Sequence, residues 1–279
     1  MPEGPEVETI RATLVPLLLG RVVVGAWVSK QRLRAPLRTA SLTPLVGRAI
    51  VTLGRRGKAM WIEVEGGSGV LVRLGMTGRL VVEQAVARAA AHTHVRLGLA
   101  GGDELRFIDP RRFGSVVHYQ SPAARAALLA DVGPDALALD DAGRRAVVAA
   151  LRATARSLKD ALLDQRMIAG IGNIYASEAL FRARLSPFLR GEQLDDAAAA
   201  RLVLAAEATL ADAVRHRGTS FSDYVDGRGA PGDNLTHLLV FAREGEPCRV
   251  CGAPVRRQTQ GQRSTFHCPR CQPRRRRLR

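Results

Sequence analysis

All four cysteines of the chain fall between residues 248 and 271, as two C-x-x-C pairs, Cys248/Cys251 and Cys268/Cys271, with sixteen residues between the pairs. Two such knuckles suit a tetrahedral thiolate zinc site that closes a hairpin. A segment of about thirty residues cannot build a stable core by itself, so one bound Zn2+ would supply its folding energy. Four thiolates leave no open coordination position, and the ion is expected to be structural. The competing reading is a pair of disulfides, which a cytoplasmic location disfavours. That location is expected because Glu3 and Glu6 stand where a signal peptide would carry Lys or Arg. Apolar runs such as Leu17–Leu19 and Val22–Val24 are also too short to span a bilayer.

The remainder of the 279 residues suits two compact domains, and a 46% hydrophobic content argues for real cores. A net charge of +16 calls for a polyanionic partner, and nucleic acid is the usual one. The bland alternative is charge spread for solubility. A membrane-surface role lacks its long basic amphipathic helix. Lysine occurs only as Lys30, Lys58 and Lys159 in a chain that otherwise uses Arg. Such survivors mark places where a compact, titratable amine is required, unless they are chance.

Residues 5–19 read as a helix: Pro5 suits the first turn, Glu6 and Glu8 favour its positive end, and Val7, Ile10, Leu14 and Leu18 form one apolar face before Gly20. Short β-rich runs follow at 22–28, 49–53, 59–64, 70–74, 80–82, 94–99, 105–108 and 115–119, the spacing of a β-sandwich or barrel. Residues 121–139 read as a hinge. Helices are expected at 140–156, 158–166, 174–184 and 194–217, then a Gly-rich loop at 227–232. The expected division is therefore a sandwich domain (1–120), a linker (121–139), a helical domain (140–243) and a zinc hairpin with a basic tail, Arg274–Arg277 (244–279).

The chain begins Met-Pro-Glu-Gly-Pro-Glu. Removal of Met1 would expose the secondary amine of Pro2, which titrates well below a lysine side chain. A secondary amine attacking an aldehydic sugar carbon forms an iminium ion, a strong electron sink. Glu3 is placed beside it to donate a proton. Taken alone, the same residues would simply start a helix.

These residues also carry a family resemblance. Met1–Thr9, Arg55-Arg-Gly-Lys58, Leu74-Gly-Met-Thr-Gly78, Asp109-Pro-Arg-Arg-Phe-Gly114, Gly170–Glu178 and the cysteine module resemble the formamidopyrimidine-DNA glycosylase (Fpg, MutM) family, in order and across the whole chain. The resemblance implies a multidomain α+β protein. It would have an N-terminal β-sandwich with an N-terminal helix, a C-terminal helix–two-turns–helix domain and a β-hairpin zinc finger, with DNA between. It implies a bifunctional glycosylase and abasic-site lyase that removes oxidised purines. Such a bacterial enzyme acts as a monomer in the cytoplasm, on the nucleoid, with double-stranded DNA carrying oxidised bases or abasic sites as partner and no membrane.

By the same resemblance Pro2 is the Schiff-base nucleophile, Glu3 the acid that helps expel the base, and Glu6 a support from the first helical turn. Lys58 assists β-elimination and touches phosphate, and Arg263 grips phosphate and assists δ-elimination. Lys159 matches a lysine near the lesion, and Asn173 binds phosphate in the turn between helices. An enzyme that extrudes a base must fill the gap, and Met76, Arg111 and Phe113 match the residues that do so.

Departures from the family pattern bear on DNA contacts. Gly4 replaces the usual Leu, and Arg73 replaces a His. His92-Thr-His94 replaces His-Asp-His, with His92 still a candidate DNA contact. Pro231–Asn234 lacks an aromatic pair, and Ala155 replaces a basic residue whose place Arg152 or Arg156 could take. Gly4 and the altered loop favour a related endonuclease VIII-type glycosylase for oxidised pyrimidines, while the intact gap-filling set favours purines. A non-catalytic damage-binding protein would not need Pro2, Glu3 and Lys58 together. RNA binding would call for aromatic platforms, and aromatic residues make up only 4%.

Overall fold

The computed structural model describes residues 2–221 and 224–273, so Met1 and the basic tail Arg274–Arg277 lie outside the described residues. Helix α1 spans Gly4–Leu18 and buries the apolar face expected of it, Val7, Ile10, Leu14 and Leu18. It begins one residue early because Glu3, not Gly4, is the N-cap. The Glu3 side chain accepts from the Glu6 backbone, and the Glu6 side chain accepts from Glu3 N at 2.8 Å. This reciprocal box satisfies two of the donors that any helix start leaves open.

Strands β1 (Val23–Val28), β2 (Ile50–Arg56), β3 (Ala59–Val64), β4 (Gly69–Arg73), β5 (Arg79–Gln84), β6 (Thr93–Leu99), β7 (Asp103–Ile108) and β8 (Ser115–Tyr119) correspond to the eight expected runs. They form two antiparallel four-stranded sheets, ordered β1-β6-β7-β5 and β2-β3-β4-β8. The inner faces share one core. Ile62, Val70, Val72 and Val116 of one sheet meet Leu80, Val95, Leu97, Leu105 and Phe107 of the other. This is a β-sandwich, with apolar side chains from the facing sides of both sheets filling its core. Helix α1 packs against β2, β3 and β5 and adds its apolar face to the same core.

Two short helices were not anticipated: α2 (Thr39–Leu42) and α3 (Pro122–Leu128). The second lies in the stretch read as a linker. Its start carries a capping signature: Ser121 Oγ accepts Ala124 N at 3.2 Å, and Pro122 occupies the first turn.

Helices α4 (Asp141–Arg152), α5 (Leu158–Leu163), α6 (Asn173–Arg182) and α7 (Asp196–Arg215) share a separate core. The helix expected over 158–166 stops at Leu163, because Asp164 turns the chain. Its side chain accepts Arg166 N at 3.0 Å, and its carbonyl accepts Met167 N and Ile168 N. The side chain of Gln165 then staples a second turn, accepting Gly170 N at 3.0 Å and donating to Ile171 O at 2.8 Å. Helix, two turns and helix follow one another over α5 and α6. The Ala-rich α7 buries Ala198, Ala199, Ala206 and Ala213 beside Leu202, Val203 and Leu210. Small side chains let it pack close to α6. Strands β9 (Arg256–Gln260) and β10 (Arg263–His267) form the C-terminal hairpin.

By contact the chain divides into Met1–Ala130 with His216–Leu235, and Asp131–Arg215 with Thr236–Arg279. Residues 216–235, read from sequence as part of the helical segment 140–243, thus belong with the sandwich. Hydrogen bonds to α1 and the buried Tyr224 hold them there. Among the described residues no helix is long and apolar enough to cross a membrane.

Candidate active site and nucleic-acid interface

In the first unit, Pro2 is buried, Glu3 is 3% exposed and Glu6 is 1% exposed. The two Glu6 oxygens do different work. Oε2 accepts from Glu3 N, and Oε1 accepts Thr219 N at 2.8 Å. One carboxylate thus ties the amino-terminal turn to the 216–235 segment. Gly218 makes this contact possible: its φ is +80°, and a Cβ there would lie 2.9 Å from the Glu6 side chain. Tyr224 packs into the sandwich core, and its hydroxyl donates to Arg217 O at 3.0 Å. Burial, with Glu6 close by, pushes that phenol well above its usual pKa, so it stays a neutral donor. Thr13 of α1 accepts Gly227 N at 3.0 Å, and buried Asp226 accepts Arg228 N and Ala230 N at 2.9 Å each. The Gly-rich loop is built against α1.

Replacing Glu6 by alanine would leave two buried backbone donors without this acceptor, each worth about 1–3 kcal/mol. We expect Glu6→Ala to lose roughly 2–6 kcal/mol in urea melts, and Glu6→Gln less, since its amide oxygen can still accept one bond. A Glu6→Ala protein as stable as the parent would contradict the clamp.

Lys58 sits in the two-residue turn between β2 and β3 and is half-buried. Arg55 fixes that turn, donating to Gly57 O and to Glu8 Oε2 of α1, at 2.9 Å each. Burial would raise the Glu8 carboxyl, but Arg11 and Arg55 outweigh it and hold the group below its usual pKa. The turn bearing Lys58 is therefore anchored to the helix that begins at Glu3.

Met76 and Phe113 are 42% and 46% exposed, where a core role would have buried them. The Arg111 guanidinium lies 4.6 Å from the Phe113 ring centroid. The loops that carry them touch through their backbones: a Cβ on Gly75 (φ +65°) would lie 2.6 Å from Phe113 C and Gly114 N. Fully buried Asp109 locks both loops, accepting Thr77 Oγ1 at 2.5 Å and Gly114 N at 2.8 Å. Thr77 in turn accepts Arg111 N at 3.3 Å. Asp109 opens the Asp109–Gly114 motif, and its task is visible only in the fold. His92 is exposed at a positive φ of 63°, with its carbonyl on Asp109 N. Arg73, half-buried, donates to Leu128 O at 3.0 Å.

In the second unit, Asn173 opens α6 after Gly172, and its Nδ2 donates to Ser264 O at 3.0 Å. Its buried Oδ1 has no hydrogen-bond partner among the described residues. Lys159, 1% exposed, donates to the same Ser264 carbonyl at 2.8 Å and to Thr265 Oγ1 at 2.7 Å. Both residues thus fix the strand that Arg263 begins, and Arg263 itself is exposed beside the tight 261–262 turn. Arg156 is exposed and paired with Asp164 at 2.7 Å, and Arg152 pairs with Asp196 at 2.7 Å. Glu178 closes the Gly170–Glu178 motif, and its task shows only in the fold. It is 2% exposed and accepts Leu239 N, Val240 N and Phe241 N at 2.8–2.9 Å, tying α6 to the segment that leads to the hairpin.

The Sγ atoms of Cys248, Cys251, Cys268 and Cys271 all lie within 4.8 Å of one another, with Cys248–Cys271 at 3.9 Å and Cys251–Cys268 at 3.5 Å. Tetrahedral zinc with Zn–S bonds of about 2.3 Å places sulfurs about 3.8 Å apart. The separations are those of ligands around one ion and not of disulfides. These four thiolates form a site for one structural Zn2+.

A β-sandwich with a buried amino-terminal clamp, a helix–two-turns–helix unit and a four-cysteine hairpin define a two-unit zinc protein of the DNA glycosylase class. The chain matches the formamidopyrimidine-DNA glycosylase N-terminal domain over residues 1–116, the H2TH domain of the same enzymes over 132–225, and the zinc finger found in Fpg and isoleucyl-tRNA synthetase over 245–274. It is 40% identical over 272 residues to the formamidopyrimidine-DNA glycosylase of Syntrophotalea carbinolica, covering 98% of this chain and all of that one. Its identity to the Moorella thermoacetica enzyme is 44%, over 92% and 94% of the two chains. The crystal structure of MutM (Fpg) from Thermus thermophilus superposes with a TM-score of 0.84 at 41% identity, over 97% and 98%. Lactococcus lactis Fpg, solved with DNA containing an abasic site, gives 0.90 at 27%, over 98% and 100%. The chain belongs to the formamidopyrimidine-DNA glycosylase family.

Proposed function

We propose that this chain is a base-excision-repair glycosylase and abasic-site lyase for oxidised purines, 8-oxoguanine and formamidopyrimidines, in double-stranded DNA. The observation that carries the reading is the buried Pro2–Glu3 turn, held by Glu6 against Thr219, in a chain of this family.

The Pro2 amine, freed of Met1, attacks the sugar C1′ of an extruded nucleotide. The base leaves with the glycosidic electron pair and gains a proton from the direction of Glu3. Opening of the sugar ring leaves an iminium on Pro2. Loss of a C2′ proton then expels the 3′ phosphate, with Lys58 assisting. A second elimination expels the 5′ phosphate, with Arg263 assisting, and water releases Pro2 from the sugar fragment. Met76, Arg111 and Phe113 fill the vacated stack, a task suited to exposed apolar and cationic groups on rigid loops. Asn173, Arg73, His92 and Arg156 serve the DNA backbone, and Glu6 and Lys159 support the machinery from within. Zinc, held by the four cysteines, gives the hairpin its stability. In a bacterium this is a cytoplasmic activity on the nucleoid, performed by a monomer.

The test is borohydride trapping on duplexes carrying 8-oxoguanine opposite cytosine or an oxidised pyrimidine. Trapping chiefly on the purine duplex is expected. Preference for the pyrimidine would reassign the substrate, and tight binding without any trapping would make the chain a damage-binding protein. Affinity should also fall steeply with salt. Six phosphate contacts predict a loss of about 10³-fold between 50 and 200 mM, and a flat titration would contradict a phosphate-dominated interface.

A further inference from the structure

In the second unit the described residues leave just two large apolar side chains well exposed, Leu204 at 58% and Val250 at 61%. Both line the same open groove of about 540 Å³. Its floor is apolar: Phe181 at the end of α6, Ala205 and Ala208 on α7, and Leu239. Its rim is cationic, formed by Arg182, Arg184 and Arg201, and no acidic side chain lines it among the described residues. Arg182 is paired with Asp212, and Arg201 donates to Ala183 O at 3.2 Å. Arg184 and Arg201 have no ion pair among the described residues.

Exposed apolar side chains gathered in one place, ringed by polar groups, mark a protein contact more than a nucleic-acid contact. A phosphate backbone gains nothing from Leu204 and Val250. The groove also lies at the C-terminal end of α6, whereas Gly172 and Asn173 lie at its start, about 14 Å away along the helix. Occupancy of the groove therefore leaves the start of α6 open. Two occupants from this chain are disfavoured by charge. The sequence after Cys271 is Arg-rich, and a second copy would bring another +16.

We propose that this groove docks an acidic segment of another protein, one that seats apolar anchors on Leu204 and Val250 and sets carboxylates against Arg184 and Arg201. A Leu or Phe anchor in such a groove, with flanking carboxylates, would give a modest, salt-sensitive affinity suited to transient exchange.

The test uses the full, zinc-loaded protein and fluorescent peptides in three sets: acidic with Leu and Phe anchors, acidic with Ala in their place, and anchor-bearing with Lys in place of the acids. Binding is followed by anisotropy, with and without abasic-site duplex present. The first set is expected to bind about tenfold tighter than either other set, and to stay bound when DNA is added. Leu204→Glu and Arg184→Glu should each weaken it about tenfold while leaving strand cleavage unchanged. Equal binding of the acidic sets, displacement by DNA, or indifference to both substitutions would overturn the proposal. Both altered positions are solvent-exposed, and thermal melts confirm that each variant remains folded.

Discussion

A Pro2→Gly variant is expected to lose borohydride trapping on 8-oxoguanine duplexes and to cleave them at least about 10³-fold more slowly, the scale of losing a covalent nucleophile. Glycine keeps an amine but gives up the secondary nitrogen, so its adduct is an iminium only when protonated. It also gives up the rigid pyrrolidine ring ahead of the Glu3 N-cap. The companion variant separates the two chemistries. Glu3→Gln removes a proton donor for base departure, so excision of 8-oxoguanine should fall by about 10²-fold or more. A duplex that already carries an abasic site has no base to expel, and there the loss should be much smaller. If Pro2→Gly trapped as well as the parent, the secondary nitrogen would not be what the reaction needs, and the adduct would sit on the primary amine of the new terminus or on another amine, half-buried Lys58 being the first to examine. Equal loss of Glu3→Gln on both substrates would make Glu3 a positioning group, acting through its N-cap bond to Glu6.

Zinc removal should be almost as damaging, by a different route. The hairpin's own apolar cluster is small: Phe181, Val240, Val255 and Phe266 beside the cysteines, with Phe241 packed edge-on to Phe266 at 4.9 Å. That is too little to fold the segment, whereas thiolate zinc sites in comparable modules contribute about 10–16 kcal/mol. Stripping the metal with a strong chelator, or a Cys251→Ser substitution, is expected to release one equivalent of zinc. It should unfold the hairpin and weaken DNA binding by about 100-fold, about 2.7 kcal/mol. Circular dichroism should still report the β-sandwich, whose core contains no cysteine. A stripped protein that bound DNA with unchanged affinity would show that the hairpin, and Arg263 on it, does not hold the duplex.

Much of this was legible in the order of residues. The apolar face of α1, the eight strands and the four-cysteine site follow from local rules: a period near 3.6, short β-rich runs between turns, and the spacing of metal ligands. These signals survive because each depends on neighbours in the chain. Pro2, Glu3 and Lys58 could be singled out because their chemistry is unusual for their positions. Helix ends were less legible. The turn at Asp164 and the capped start at Ser121 depend on which side chain wins a backbone hydrogen bond.

Long-range pairing was not legible at all. Nothing near Glu6 in sequence points to Thr219, more than two hundred residues on, yet one carboxylate joins them. Nor does anything near Lys159 or Asn173 point to the Ser264 carbonyl that both address. Met76 and Phe113 carry the apolarity of core residues, and only the backbone contact at Gly75, locked by Asp109, turns them outward. The sequence by itself determined the elements and the metal ligands and marked out the candidate reactive groups, because propensity, periodicity and intrinsic chemistry are local. The tertiary structure decided which buried polar groups meet. A donor withdrawn from water must find an acceptor, and that acceptor can come from any part of the chain that packing brings near.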